Sequence, residues 1–355
     1  MFGHVAAPHR AYRHHVGEPD HRGAEPEPTA PSLRERLTVV LLTYNCAHRI
    51  AGIVERLLEL DVCIIAVDNA SHDGTPDVLR RFPQVDVVTL PNNTGAAGRN
   101  AGAERARTPY IAFCDDDGWY ERDGLDLACD LFDDHPQLGL VNARILVRDE
   151  QRLDPISAEM ADSPVPERDG VPGAVLLSFM AGAVVVRASA YRAAGGYDAR
   201  FFMGGEEETL ALPLAKLGWQ MRYVPEVVMH HYPSLANATK LRAHGMRNTL
   251  VNAWLHRPLG SALRWTGFTL ADTPKNRDYA RGLALTLRAV GWIARERAPM
   301  SRALDADLTL LDERRYAARR PLLHRQAWRP SATPGSAEAQ PAPAADVDNT
   351  GALAS

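Results

Sequence analysis

From Leu37 onward the chain alternates short, continuous apolar runs with stretches in which apolar residues recur at helical spacing. The runs LTVVLLT (37–43), VCIIAVD (62–68), VDVVTL (85–90) and YIAFCD (110–115) are rich in β-branched residues, the pattern of strands covered on both faces. Residues 47–60, 75–81 and 96–107 lie between them and read as helices. Strand and helix alternating in this way predict a parallel sheet wrapped by helices. Ligands of such sheets bind beyond the carboxyl ends of the strands. Each run ends in polar residues: Thr43, Tyr44 and Asn45; Asp68 and Asn69; Asn92 and Asn93; Asp115, Asp116 and Asp117.

The second half is mixed. It holds GLVNARILV (139–147), a proline-rich loop over 154–172, the apolar stretch AVLLSFMAGAVVVR (174–187), a glycine-rich turn, an acidic helix start at Glu206 and the strand RYVPEVVMHH (222–231). These read as the acceptor half of the same domain, so one domain is expected over 36–240. A helical region follows over 241–325, and within it residues 281–297 (RGLALTLRAVGWIARER) are basic and amphipathic. That segment predicts a helix packed on the domain, with peripheral contact to a membrane surface as the sharper alternative. Residues 1–35 and 326–355 carry Pro, Ala, Glu and Ser without apolar period and read as disordered tails. His4, His9, His14, His15 and His21 have no fixed spacing and are assigned to the first tail rather than to a metal site.

Composition narrows the function classes. The formal net charge of -4 provides no basic field for a polynucleotide, so no nucleic-acid partner is expected. Cys46, Cys63, Cys114 and Cys129 form no CxxC pair and read as reduced thiols of a cytoplasmic protein. No signal-peptide pattern is visible, and the longest apolar stretch (173–186) is too short to span a bilayer.

Three adjacent aspartates after an apolar strand repel one another unless a cation neutralises them. Mg²⁺ or Mn²⁺ suits such a place, because it takes one or two carboxylates and fills its shell with substrate phosphate oxygens. Asp68 ends its strand where a carboxylate can accept from a base N–H or a ribose hydroxyl, and Ser71 or Asp73 can cap the helix that follows. In NTGAAGRNAG (93–102) the small residues around Gly95 would let backbone approach a ligand. Arg99 would meet phosphate or steady the acidic cluster.

Taken together, these segments resemble the family 2 glycosyltransferases of the GT-A fold, with bacterial rhamnosyltransferases as the nearest branch. The matching segments are VVLLTYN (39–45), AVDNASHDGT (66–75), NNTGAAGRNAG (92–102), FCDDDGWYERDGL (113–125), MAGAVVVRASAYRAAGGYD (180–198) and FFMGGEEETLALPLAKLGW (201–219), in the family's order. The resemblance implies a Rossmann-like mixed α/β sheet flanked by helices, with a C-terminal helical extension. It implies that Thr43, Tyr44, Asn45, Asp68, Asn69, Gly95, Arg99, Asn100, Asp115 and Asp116 surround the donor, and that Asp117 ligates the metal beside Asp115. One of His230 and His231 would stand near the diphosphate. Adjacent strand residues face opposite sides, so at most one of the two should point into the site.

The family's usual Glu-Asp pair is here Glu206 and Glu207, with Glu208 beside them. Glu207 is expected as the catalytic base and Glu206 as its alternative. The implied reaction is inverting transfer of a sugar from a nucleotide-diphosphate donor, UDP- or dTDP-linked before GDP-linked, to a glycan or lipid-linked acceptor in the cell envelope. A sugar-phosphate nucleotidyltransferase would share the fold and the acidic site, but would carry a basic glycine-rich loop where this chain has Thr43-Tyr44-Asn45-Cys46-Ala47. A non-catalytic sugar-nucleotide-binding protein is the alternative from another class.

Overall fold

A computed structural model describes residues 31–233 and 242–327. Its strands are β1 (Leu37–Thr43), β2 (Cys63–Asp68), β3 (Val85–Thr89), β4 (Tyr110–Asp115), β5 (Gly118–Tyr120), β6 (Leu138–Val147), β7 (Arg152–Leu153), β8 (Ala174–Val175), β9 (Ala183–Arg187) and β10 (Gln220–His231). They form one sheet in the order β3-β2-β1-β4-β9-β6-β10-β5, with β7 on β6 and β8 on β10. Every residue of β1 is buried, as its unbroken apolar run requires.

The first half is parallel as expected, with β1 paired to β2 and β4, and β2 to β3. The second half is not. β9 runs antiparallel to both β4 and β6, and β5 antiparallel to β10. The apolar stretch 174–187 accordingly splits into two short strands, and Leu176, Leu177, Phe179 and Ala181 between them fill the core as loop residues. An apolar run specifies burial more firmly than it specifies a ladder.

Two apolar layers enclose the sheet. On one side the helix Ile50–Leu58 buries Ile50, Ile53, Val54 and Leu57, one stripe of a 3.6-residue period. Full burial of each such side chain contributes about 1.5–3 kcal/mol. On the other side lie the helices Gly98–Arg105 and Glu208–Lys216.

The C-terminal helices are Arg242–His256, Leu259–Asp272, Arg277–Glu296 and Arg302–Ala327. The helix Arg277–Glu296 buries Gly282, Ala289 and Ile293, so one face packs as expected. Leu287 and Val290 on the same helix are 72% and 53% exposed. Among the described residues no helix is long and apolar enough to cross a membrane. The expected tails fall almost entirely outside the described residues. The end of the first is ordered, contrary to expectation: residues 33–35 enter a helical turn that ends at Arg36, Leu33 is buried, and Glu35 accepts from the Ser32 backbone and hydroxyl.

Candidate active site

The ladder places the polar strand ends side by side. Thr43 is in register with Asp68 across β1 and β2, and Leu42 with Asp115 across β1 and β4. Thr43 is fully buried, and its hydroxyl donates to the Val67 carbonyl at 3.2 Å. Asp68 is fully buried as well. Its Oδ2 accepts from the Ser71 amide at 3.2 Å, while its Oδ1 is buried without a partner. An unsatisfied carboxylate oxygen in a closed site costs about 1–3 kcal/mol or more, and a donor from a bound nucleotide would recover that cost.

The loop after β1 is laced to the loop after β2. The Asn45 amide donates to Ser71 Oγ at 2.9 Å, the Asn45 Oδ1 accepts from the His72 amide at 2.8 Å, and the Ala47 amide donates to Asp73 Oδ2 at 3.0 Å. Asn45 holds φ 50°, a left-handed geometry that asparagine tolerates. The side chain of Tyr44 is left 44% exposed at the rim.

The three aspartates diverge. Asp116 turns inward, where Arg49 pairs with its Oδ1 and the Tyr44 amide donates to its Oδ2 at 3.1 Å. This clamp joins the two strand-end loops, and burial holds the Asp116 carboxyl above its ordinary value in spite of Arg49. Asp115 pairs with Arg99, so of the two roles open to Arg99 the structure realises the one that steadies the acidic cluster. Asp117 faces His231, with 3.5 Å between Oδ1 and Nε2. Burial lowers the affinity of His231 for its proton, but the hydrogen bond and charge of Asp117 outweigh it and the net shift is upward.

Antiparallel pairing of β5 with β10 sets His231 opposite Gly118 and His230 opposite Trp119. The two histidines therefore part company. His230 stacks on Trp119 with ring centres 5.2 Å apart and meets Glu121 at 2.9 Å, on the face away from Asp117. Among the described residues no three His, Cys, Asp or Glu side chains are grouped so that they alone would hold a metal. The aspartate and imidazole that do meet would leave the rest of a cation's shell to other donors.

The glycine-rich segment is packed closely against the rest of the fold. Gly95 has φ 62°, and a Cβ there would stand 2.1 Å from the Phe202 carbonyl oxygen, the group that accepts from the Ala96 amide at 2.8 Å. At Gly102 a Cβ would meet Val40 at 2.4 Å, so the close approach is of helix to sheet. Asn69 uses both ends of its amide on this segment, donating to the Gly95 carbonyl at 2.9 Å and accepting from the Thr94 amide at 2.8 Å. Asn100 likewise donates to the Tyr197 carbonyl at 2.8 Å and accepts from the Tyr197 amide at 3.0 Å. Asn69, Asn100 and Gly95 thus support the site from behind.

The Phe202 contact brings in the acidic residues. Residues 201–207 lead into the helix Glu208–Lys216 with Phe202, Gly204 and Gly205 all at positive φ. A cavity of about 130 Å³ gathers Arg99, Asp115, Gly182, Glu206, Glu207 and His231. Glu206 is 6% exposed and its Oε2 is buried without a partner. Burial, with the charge of Glu206 next, pushes the Glu207 carboxyl up to about 8.

Several supports were invisible in the sequence. Asn248 donates to the Phe201 carbonyl at 2.9 Å and the Gly204 carbonyl at 2.8 Å, and Asn252 to the Gly205 carbonyl at 3.0 Å. Both are buried polar residues one helical turn apart, and it is their burial, seen only in the structure, that marks them as supports. Arg49, the clamp on Asp116, stood out by no pattern.

Residues 38–192 match the model of the family described as glycosyl transferase family 2. A pre-mycofactocin glycosyltransferase of Mycobacterium tuberculosis is 29% identical over 209 residues, which are 58% of this chain and 44% of that protein. The chain thus spans less than half the length of that curated relative. An N-acetylglucosaminyl-diphospho-decaprenol L-rhamnosyltransferase of the same organism is 26% identical over 275 residues, covering 65% of this chain and 88% of that protein. The solved structure of GalNAc-T7 with UDP, GalNAc and Mn²⁺ superposes with a TM-score of 0.53 at 12% identity, over 74% of this chain and 56% of that one.

Proposed function

We propose, for a chain that belongs to glycosyltransferase family 2 through residues 38–192 and has the GT-A fold, that it transfers a sugar from a nucleoside-diphosphate donor to an acceptor hydroxyl with inversion at the anomeric carbon. One observation carries this reading. Asp115, at the end of the strand next to the Thr43–Asp68 pair, lines one cavity with His231 and with the acids Glu206 and Glu207 from the second half of the domain.

The nucleotide would lie over β1 and β2, where the free Oδ1 of Asp68 is set to accept from a base N–H or a ribose hydroxyl. A carboxylate and an imidazole, Asp117 and His231, are donors that Mn²⁺ accepts, and Mg²⁺ suits the carboxylate. These residues fit a cation that completes its shell with diphosphate oxygens. The chemistry such a cation supplies when bound is neutralisation of charge on the departing diphosphate. Arg99 holds Asp115 in place beside it.

Of the two acids, Glu207 is the better base. Both acids border the cavity with Asp115, and Glu207 is the more exposed residue of the two. In the proposed step Glu207 takes the proton of the acceptor hydroxyl, the acceptor oxygen bonds to the anomeric carbon, and the bond from that carbon to the diphosphate oxygen breaks. A carboxyl held near 8 by burial is a strong enough base for the task and costs stability when ionised.

The N-acetylglucosaminyl-diphospho-decaprenol L-rhamnosyltransferase supports a lipid-linked acceptor, and the UDP and Mn²⁺ held by GalNAc-T7 support a UDP-linked donor. A thermal-shift screen of UDP, dTDP and GDP with Mn²⁺ tests the reading. Stabilisation by one nucleotide class that disappears in Asp68→Ala is the expected result. No stabilisation by any of the three would overturn it.

A further inference from the structure

The helices Leu259–Asp272 and Arg277–Glu296 wall a groove of about 510 Å³, completed by Leu250 and Trp254 of the helix Arg242–His256 on which both pack. On one wall Leu283, Leu287, Val290 and Ala294 recur at the three- and four-residue spacing of a single helix face, and Leu259 and Leu270 stand on the other. The polar side chains that border the groove are already committed. Trp254 Nε1 donates to Thr266 Oγ1 at 3.0 Å, the Thr266 and Thr286 hydroxyls donate to the Ala262 and Gly282 carbonyls at 2.7 and 2.9 Å, and the Arg297 guanidinium donates to the Trp254 and Arg257 carbonyls. The groove therefore suits an apolar occupant. Its rim is open: Leu259 and Leu263, at 58% and 55%, join Leu287 and Val290 as exposed apolar residues.

A second row runs along the same helix. Arg277, Arg281, Arg288 and Arg295 are spaced by four and seven residues, which sets them on one face, about a third of a turn from the apolar row. All four are exposed, and none of them is ion-paired among the described residues. Of the acids on this helix, Asp278 lies off the arginine row and Glu296 is held by Arg200. Arg288 shares a recess with His244 and Arg247, where burial and then the charges of Arg281 and Arg247 lower the affinity of His244 for a proton. Cations crowd one another on this flank.

We infer that these two helices form a docking face for an anionic phospholipid bilayer, whose acyl chains enter the groove while its phosphates meet the arginine row. The inference is independent of the transferase chemistry. A helix lying in the plane of a membrane sinks its apolar face to the boundary of headgroups and acyl chains, and basic side chains beside that face reach back to the phosphates. An apolar row next to an unpaired arginine row meets both requirements. Since no described helix is long and apolar enough to cross, the attachment through this face is to one leaflet. Charge selects the bilayer over a second copy of the chain. Twofold pairing of this patch with itself would add a second unpaired arginine row and supply no anion. The exposed large apolar residues outside the C-terminal helices, Tyr44, Leu153, Met203 and Leu217, come from four separate segments and offer no row to fill the groove.

Flotation of the full chain with vesicles of phosphatidylcholine, with and without phosphatidylglycerol, tests this. The wild type should float with the anionic vesicles, stay behind with the neutral ones, and be released by added salt. Combining Leu287→Ser with Val290→Ser should lower the partition coefficient at least about tenfold, as expected for withdrawing two apolar side chains from the bilayer. Leu259→Ser, on the opposite wall, should act in the same direction. Arg281→Gln and Arg295→Gln should each lower partitioning to anionic vesicles by about fivefold. All of these positions are exposed, and thermal midpoints measured on the same samples verify that each variant folds. Failure to float with either vesicle, equal flotation with both, or flotation unchanged in the serine and glutamine variants would overturn the docking face. Sedimentation velocity without lipid examines the other occupant: a monomer is expected, and a dimer that Leu287→Ser with Val290→Ser dissociates would give the face to a second copy and overturn the inference.

Discussion

The two sides of the cleft are built by different means. On the proposed nucleotide side Thr43, Asp68 and Asp115 stand at strand ends that ladder register brings together, with Arg49, at the start of one neighbouring helix, and Arg99, on another, holding the aspartates 116 and 115. On the acid side Glu206 and Glu207 sit at the end of a loop with three residues at positive φ, held by the Gly95 turn and by Asn248 and Asn252 from a helix some 45 residues later in the chain. The first side is therefore rigid by sheet pairing. The second is only as well placed as its long-range hydrogen bonds, and ordering a loop in this way opposes about 1–2 kcal/mol of backbone entropy per residue.

Breaking the comparison at its chemical end should produce the largest effect. Glu207→Gln should lower transfer by about 10²–10⁴-fold, the range for loss of a general base, with nucleotide binding unchanged in a thermal shift. It should also raise the thermal midpoint at pH 9. The Glu207 carboxyl titrates at about 8 in the fold against an ordinary 4.5, so the stability it allows is fully present below 4.5 and is lost as pH rises through 8. A midpoint that falls instead would mark Glu207 as a structural residue. On the other side, Asp117→Asn should lower transfer by about 10²–10³-fold, as for loss of one electrostatic stabiliser, and remove the Mn²⁺ dependence of UDP binding. Retention of that dependence would remove Asp117 from the metal site.

A smaller effect, on stability, is expected at the joint between the sides. Gly95→Ala should cost about 1–3 kcal/mol, the range for overpacking, because its Cβ would meet the Phe202 carbonyl from a left-handed backbone. Transfer should drop further than UDP binding, since the acid loop is what shifts. Equal loss of both would show that the joint positions the nucleotide as well. The smallest effect belongs to the exposed face of the helix Arg277–Glu296. Leu287→Ser, at 72% exposure, should leave stability within about 0.5 kcal/mol in a denaturant titration.

Legibility in the sequence follows the same division. The continuous β-branched runs marked β1 to β4 within a residue or two; β1, β2 and β4 are buried on both faces as expected, whereas β3 is the half-exposed edge strand. The acids at 115–117 and 206–207 stood out in the sequence as runs of adjacent like charge. Their distinct duties were not. That Asp116 turns to Arg49, that Asp115 turns to Arg99 and that His230 turns to Glu121 are outcomes of side-chain packing between segments tens of residues apart. The close approach at the glycines around Arg99 had a partner the sequence could not name for a related reason. Period and composition show that backbone is approached closely, but not by what, and here the neighbours are Val40 and Phe202. The antiparallel β9 was hidden because an apolar run reads the same in either direction.

The central claim is that Glu207, which lines one cavity with Asp115 and His231, accepts the acceptor's proton on a carboxylate made basic by burial. The pH dependence of kcat/KM for transfer tests it most directly, since that ratio reports the free enzyme's essential base. The rate should rise about tenfold per pH unit below 7 and level off above about 8, where Glu207 is ionised. A profile already flat from pH 6 upward would contradict it, because a base with an ordinary carboxyl value would then be carrying the step.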